Sequence, residues 1–288
     1  MTEQNTRRGI ALMIFTTFVF ACQDALSRHL AGTYNVWMVV MIRYWFFAAF
    51  VLMVASRRPG GIRASAKTSQ PILQSFRGAL LALEVCVMVL GFTYLGIIES
   101  QAIFIAYPLI IAALSGPVLG EKVGWRRWSA IGVGFVGVMV ILQPGVGVFA
   151  PAAILPLVSA LMFAGYGLAN RYVARKDSAA TSFFWTGTVG AVVMTAIGVW
   201  FWEPMIASDW AWMCLLCATG VLGHFTLIKA YELAEASAVQ PFAYFQLAFG
   251  AMVAIPIFGE TIRLNVAAGA ALIIAAGLFT FWRERHQR

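Results

Sequence analysis

Charge is what this sequence has least of. Asp, Glu, Lys and Arg make up 11% of its 288 residues, while 61% are hydrophobic. Soluble domains carry roughly 25% charged and 45–50% apolar residues, so a soluble globular fold is excluded. The short alternating segments of a transmembrane barrel are also missing. Cysteine is sparse: Cys22, Cys86, Cys214 and Cys217 all fall inside apolar runs and give no disulfide framework. Cys214 and Cys217 form a C-x-x-C, but on a spanning helix they sit one turn apart and far from polar donors. That reads as packing rather than redox chemistry or metal binding. There is no Gly-Lys of a phosphate-binding loop and no G-x-G-x-x-G opening a soluble βαβ unit. An ATP-driven pump is therefore not expected. Catalytic triads and metal-ligand clusters are absent too, so no cofactor, no metal and no enzyme activity are expected. A membrane-embedded enzyme, the reading from a different class, would need a tight cluster of Asp, Glu, His or Lys at one membrane face.

What the chain has is apolar runs of a length that spans a bilayer, about 18–22 residues at about 1.5 Å each. We read ten, at 9–30, 35–55, 76–95, 99–119, 125–142, 152–172, 179–202, 210–230, 237–258 and 264–282. The first follows Arg7 and Arg8. It is long and ends in Ser27-Arg28-His29 rather than a small-x-small site, so it is expected as a span and not a cleaved signal. The longest connection, 56–75, holds Arg57, Arg58, Arg63 and Lys67. With the N-terminus in the cytoplasm, nearly all of the 20 Lys and Arg fall on the cytoplasmic side; the exceptions are Arg28, Arg43 and Arg263. The net charge of +8 is thus a loop charge on one side of a membrane, not a nucleic-acid footprint. The fold class is all-α and membrane-spanning, with ten helices and both termini cytoplasmic.

The chain repeats itself. Pro117-Val118-Leu119-Gly120-Glu121 closes one apolar run and Pro256-Ile257-Phe258-Gly259-Glu260 closes another, 139 residues on. Phe20-Ala21…Ser27-Arg28 and Phe163-Ala164…Asn170-Arg171 align without gaps at an offset of 143. An internal duplication follows, with halves at 1–145 and 146–288. Five spans per half make the second enter the membrane from the opposite face. Inverted repeats of this kind place a substrate site near the midplane. Gly116 and Gly120 have the spacing of close helix packing, and Gly132, Gly134 and Gly137 crowd the fifth span. The fifth and tenth spans are poor in polar groups. We expect them to pack or dimerise rather than line a pathway, which leaves both monomer and homodimer open.

Ionisable groups within spans are costly and are candidates for function. Asp24, Arg43, Glu84 and His224 are such groups. Asp24 with Arg28 or Arg43 reads as an ion pair, or else as an outer gate or a substrate-carboxylate contact for Arg43. Glu84 reads as a contact for an ammonium, a proton carrier, or a buried interhelical hydrogen bond. Phe20, Gln23 and Ser27 share one face of the first span; Phe163, Tyr166 and Asn170 hold the matching places in the sixth. A polar stripe in a spanning helix faces helices or water rather than lipid. Tyr107 beside Pro108, Tyr244 near Pro241, and Gln246 add polar groups at mid-depth, where proline permits a local break.

These features resemble the drug/metabolite transporter superfamily, in particular its EamA-type exporters. The resemblance rests on two five-span repeats, Gly-Glu closing the fourth and ninth spans, and the run Ala236-Ser237-Ala238-Val239-Gln240-Pro241-Phe242-Ala243-Tyr244-Phe245-Gln246. Glu99-Ser100-Gln101 departs from the pattern, which has small residues there. The resemblance implies a secondary transporter of the bacterial inner membrane, working by alternating access. It points most to exporters of aromatic amino acids, methionine and related neutral amino acids. The partners implied are a small-molecule substrate and the lipid bilayer. Another small metabolite or a drug is the alternative cargo.

Overall fold

In the computed structural model, residues 3–120, 124–143, 151–233 and 240–286 are described. They are helical, with no strand among them. Helices run α1 (Glu3–Ala31), α2 (Val36–Ser56), α3 (Gly61–Ala66), α4 (Pro71–Leu95), α5 (Ile97–Phe104), α6 (Tyr107–Leu119), α7 (Trp125–Leu142), α8 (Ile154–Val173), α9 (Ala179–Gly198), α10 (Ala207–Leu233), α11 (Phe245–Phe258) and α12 (Leu264–His286). A 3-10 turn, Gln240–Tyr244, leads into α11. Helix is what an apolar chain has to form in lipid, because every backbone donor and acceptor must be met within the segment.

Local chemistry sets the boundaries. The side chain of Asn35 accepts from the Trp37 N–H at the start of α2, and Ser178 does the same for Thr181 at the start of α9. Pro71 stands in the first turn of α4, where its missing N–H costs nothing. Gly120 and Gly259 end α6 and α11 in the left-handed conformation, with φ of 75° and 65°. The repeated glycine is therefore a helix stop. The close packing expected from Gly116 and Gly120 is not found at Gly120, where an added Cβ would meet nothing within 4 Å. Glu121 lies outside the described residues.

Among the described residues, seven stretches are long and apolar enough to cross a membrane; three more, Trp128–Leu142, Phe242–Phe258 and Leu264–Thr280, are apolar but shorter. The chain is a multi-pass membrane protein. The fourth expected span is broken between α5 and α6 at Ile105-Ala106, just before Tyr107-Pro108. The 56–75 connection, expected as loop, contains α3.

Packing runs between the halves. α1 lies on α10 and α11, and α4 on α8 and α9. α2 lies on α9 and α10, α6 on α8, and α7 on α12. In the last pair the backbones touch: a Cβ on Gly137 would come within 2.7 Å of the Gly269 carbonyl, and one on Gly269 within 2.5 Å of the Gly137 carbonyl. The fifth and tenth expected spans do pack on each other, and neither lines the cavity described next.

Candidate functional site

A cavity of about 170 Å³ sits between α1, α2, α4 and α10, with α5, α8 and α11 contributing one residue each. Its walls are aromatic and aliphatic: Phe20, Phe47, Phe92, Phe104 and Phe163, with Leu81, Val85 and Met88. Seven of the polar residues singled out from sequence also line it: Gln23, Asp24, Ser27, Arg43, Glu84, His224 and Gln246.

Each of these is held in a particular way. Asp24 is buried; its Oδ2 accepts from Gln101 Nε2 at 2.6 Å and Gln246 Nε2 at 3.0 Å. Its Oδ1 has no hydrogen bond among the described residues. Glu84 is buried on α4 and accepts from the Ser159 hydroxyl of α8. The His224 ring stacks on Phe47 at 5.6 Å and meets Phe20 edge-on at 5.4 Å. Arg43 has no hydrogen bond and no carboxylate within ion-pair distance among the described residues. Arg43 is half-buried and lines the cavity. Gln23 Oε1 is buried without a partner as well. Gly220 leaves the room: a Cβ there would sit 3.4 Å from Gln23 Oε1 and 3.5 Å from Arg43 Nε. Two carboxylates, one unpaired guanidinium and aromatic walls thus converge on one small space. Among the described residues no group of three or more His, Cys, Asp and Glu could hold a metal ion.

The other candidates lie elsewhere. Tyr107 packs with Phe104 and Phe163 behind the wall. The Tyr244 hydroxyl is buried without a partner against Gly277. Tyr166 and Asn170 turn away from the cavity to Arg77, donor to Asn170 Oδ1 at 2.7 Å and to Tyr166 OH at 3.3 Å. Arg28 does not pair with Asp24. It pairs with Glu260 and lies over the Phe258 ring at 4.1 Å. Glu260 also accepts from the N–H groups of Ile97 at 2.8 Å and Ile98 at 2.9 Å, the open N-terminus of α5. Arg263 pairs with Glu99 nearby. Pro117 and Pro256 both lie within helices, α6 and α11.

Several participants carried no sequence signal of their own. Ser159 and Gly220 are ordinary small residues on spans. Arg77 looked like a loop charge, because the third span was expected to begin at 76; α4 begins at Pro71 and carries Arg77 inside. Gln101 did carry a signal, since Glu99-Ser100-Gln101 is where the chain departs from the family pattern, and Glu99 and Gln101 now reach Arg263 and Asp24.

A bundle of apolar helices surrounds a largely apolar cavity that carries a few ionisable side chains. The profile of the EamA-like transporter family matches residues 7–143 and again 150–282. The chain belongs to that family, within the drug/metabolite transporter superfamily. It is 27% identical to the S-adenosylmethionine uptake transporter of Rickettsia prowazekii (strain Madrid E), across 96% of this chain and 93% of that one. It is 27% identical to a riboflavin transporter of Vibrio cholerae serotype O1 (strain ATCC 39315 / El Tor Inaba N16961), across 98% and 95%. It is 21% identical to the pseudopaline exporter CntI of Pseudomonas aeruginosa (strain UCBPP-PA14), across 94% of each. A solved crystal structure superposes with a TM-score of 0.64 over 98% of this chain and 100% of its own, at 15% identity, a likeness of fold.

Proposed function

We propose that this transporter carries zwitterionic amino acids, aromatic and sulfur-containing ones included, across a bacterial inner membrane. The observation that carries this reading is Arg43, an unpaired guanidinium facing a cavity that also holds Glu84 and Asp24. A substrate carboxylate would take Arg43, and its ammonium would take the free oxygen of Glu84 or Asp24. Charge-assisted hydrogen bonds of this kind are about twice as strong as neutral ones. The side chain would lie among Phe20, Phe47 and His224. Cavity size favours small cargo: about 170 Å³ falls below the roughly 300–1,000 Å³ of sites for drug-sized ligands.

The mechanism we propose is alternating access by two inverted five-span halves, ten spans in all, with both termini cytoplasmic. The exchange of partners supports it. α1 on α10 answers α4 on α8, and α1 on α11 answers α8 on α6, while α2 on α9 and α7 on α12 pair like with like. That is the pattern a two-fold relation between halves would give. The bacterial relatives support the inner-membrane location.

A carrier of this kind runs in either sense, and the gradients set the net direction. Export of neutral amino acids, implied by the sequence resemblance, is the narrower form of the reading. The second reading is S-adenosylmethionine, an amino-acid derivative and the cargo named for the Rickettsia prowazekii relative. Purified protein in liposomes separates the two. Counterflow of labelled phenylalanine, methionine, S-adenosylmethionine and riboflavin should show exchange of the amino acids. Exchange of S-adenosylmethionine alone would move the assignment to the second reading, and riboflavin alone would overturn both.

A further inference from the structure

Arg77 is 1% exposed, and every N–H of its guanidinium has an acceptor. Nε and Nη2 donate to Gln74 Oε1 at 3.1 and 2.9 Å, and Nη1 to Asn170 Oδ1 and Tyr166 OH at 2.7 and 3.3 Å. Nη2 also donates to the Ser182 carbonyl. The acceptors come from α4, α8 and α9. We propose that Arg77 is a gating residue: it fastens α4 to α8 and α9 at one end of the cavity and must release α8 for substrate to pass. The proposal rests on the transport reading above.

Position is the first argument. Residues 77, 81, 84 and 88 share one face of α4. Leu81, Glu84 and Met88 line the cavity, and Arg77 does not. It stands one turn beyond Leu81, about 6 Å along the axis, where the cavity ends. Partner chemistry is the second. No carboxylate lies within ion-pair distance of Arg77 among the described residues. Among the described residues the link to an acid runs through Gln74, whose Nε2 donates to Asp177 Oδ2 at 2.8 Å. A permanent brace would keep a buried cation on a carboxylate, because breaking such a pair is costly. Neutral oxygens hold it well enough to close and can be replaced one by one by water. Continuity with the wall is the third. The guanidinium lies 5.4 Å from the Tyr166 ring, which meets Phe163 at 5.7 Å, and Phe163 lines the cavity. Movement at Arg77 is therefore felt at the binding space.

Asn170→Asp tests this without removing anything. It sets a carboxylate where Nη1 now has an amide oxygen, so the fastening becomes an ion pair and tightens. The readout is Leu81→Cys, in a version with the four native cysteines replaced, labelled by a membrane-impermeant thiol reagent from the side of the α8–α9 turn. We expect Asn170→Asp to slow labelling about tenfold and to slow flux similarly, with thermal stability equal or higher. Arg77→Gln, with stability checked separately, should speed labelling. Asn170→Asp with wild-type labelling and flux would make Arg77 a structural brace and overturn the proposal. Labelling needs no substrate, so slowed labelling beside absent amino-acid flux would uphold the gate while sinking the substrate assignment.

Discussion

Two arginines within the helices of this molecule are held in opposite ways, and each says what its loss should do. Arg77 has a full set of acceptors, so its removal leaves Gln74, Asn170 and Tyr166 without their donor. Arg43 has none to lose. A half-buried charge with no partner adds little to the fold, so Arg43→Gln should leave thermal stability about unchanged. Its effect on amino-acid flux should be a loss of tenfold or more, since a charged hydrogen bond is worth about 1.5–3 kcal/mol. Glu84→Gln keeps an acceptor for Ser159 and should behave in the same direction. If both variants keep full flux at normal stability, the zwitterion pose is wrong. The rule that found these residues was a simple one: ionisable groups do not sit in spans without a reason. It found Asp24, Arg43, Glu84 and His224, and all four line the cavity. It passed over Arg77 because a charge near the edge of a span reads as a loop charge. The stripe on the sixth span grouped Tyr166 and Asn170 with Phe163, but Arg77 draws both away from the cavity that Phe163 lines. At Asp177, in the α8–α9 turn, burial raises the carboxyl pKa, but hydrogen bonds from Thr68 and Gln74 outweigh it and the net shift is downward.

At the scale of elements, the break between α4 and α5 shows how a repeated motif acquires its purpose. Gly96 joins the two with φ of 96° and ψ of 165°, a conformation open almost only to glycine. A Cβ there would stand 3.0 Å from the Glu260 carboxyl. The close approach lets Glu260 accept both N–H groups at the start of α5, where a helix favours negative charge. Gly96→Ala should therefore cost about 1–3 kcal/mol in backbone strain and push Glu260 off α5. Thermal unfolding measures the first. Faster thiol labelling of Ser27→Cys from the Glu260 end measures the second. Unchanged labelling in a destabilised Gly96→Ala protein would mean that Glu260 closes nothing. Periodicity and composition located these helices because lipid leaves few choices of structure. What they could not supply was the reach of Glu260 to α5, a contact across 163 residues of chain. The glycine of each Gly-Glu pair was legible as a feature, yet its role as a helix stop needed the backbone angle.

For the whole molecule, the principal helix contacts cross between the halves, apart from contacts such as α2 on α4 and α6 on α7. Neither half encloses the cavity alone. Residues 1–145 and 146–288 made separately should each be degraded, and made together should recover transport. Stable accumulation of the first half alone would argue against this interdependence. Synthesis makes the same demand in time. The first helix enters the bilayer carrying Thr16, Gln23, Asp24 and Ser27. Thr16 meets Thr226 across 210 residues, and Asp24 meets Gln246 across 222. Gln101 can reach the Asp24 carboxylate once the first half is made, but the second amide partner, Gln246, is absent until most of the polypeptide has been translated. Biogenesis, more than the finished fold, is then the stage at which substitutions along α1 would be weeded out.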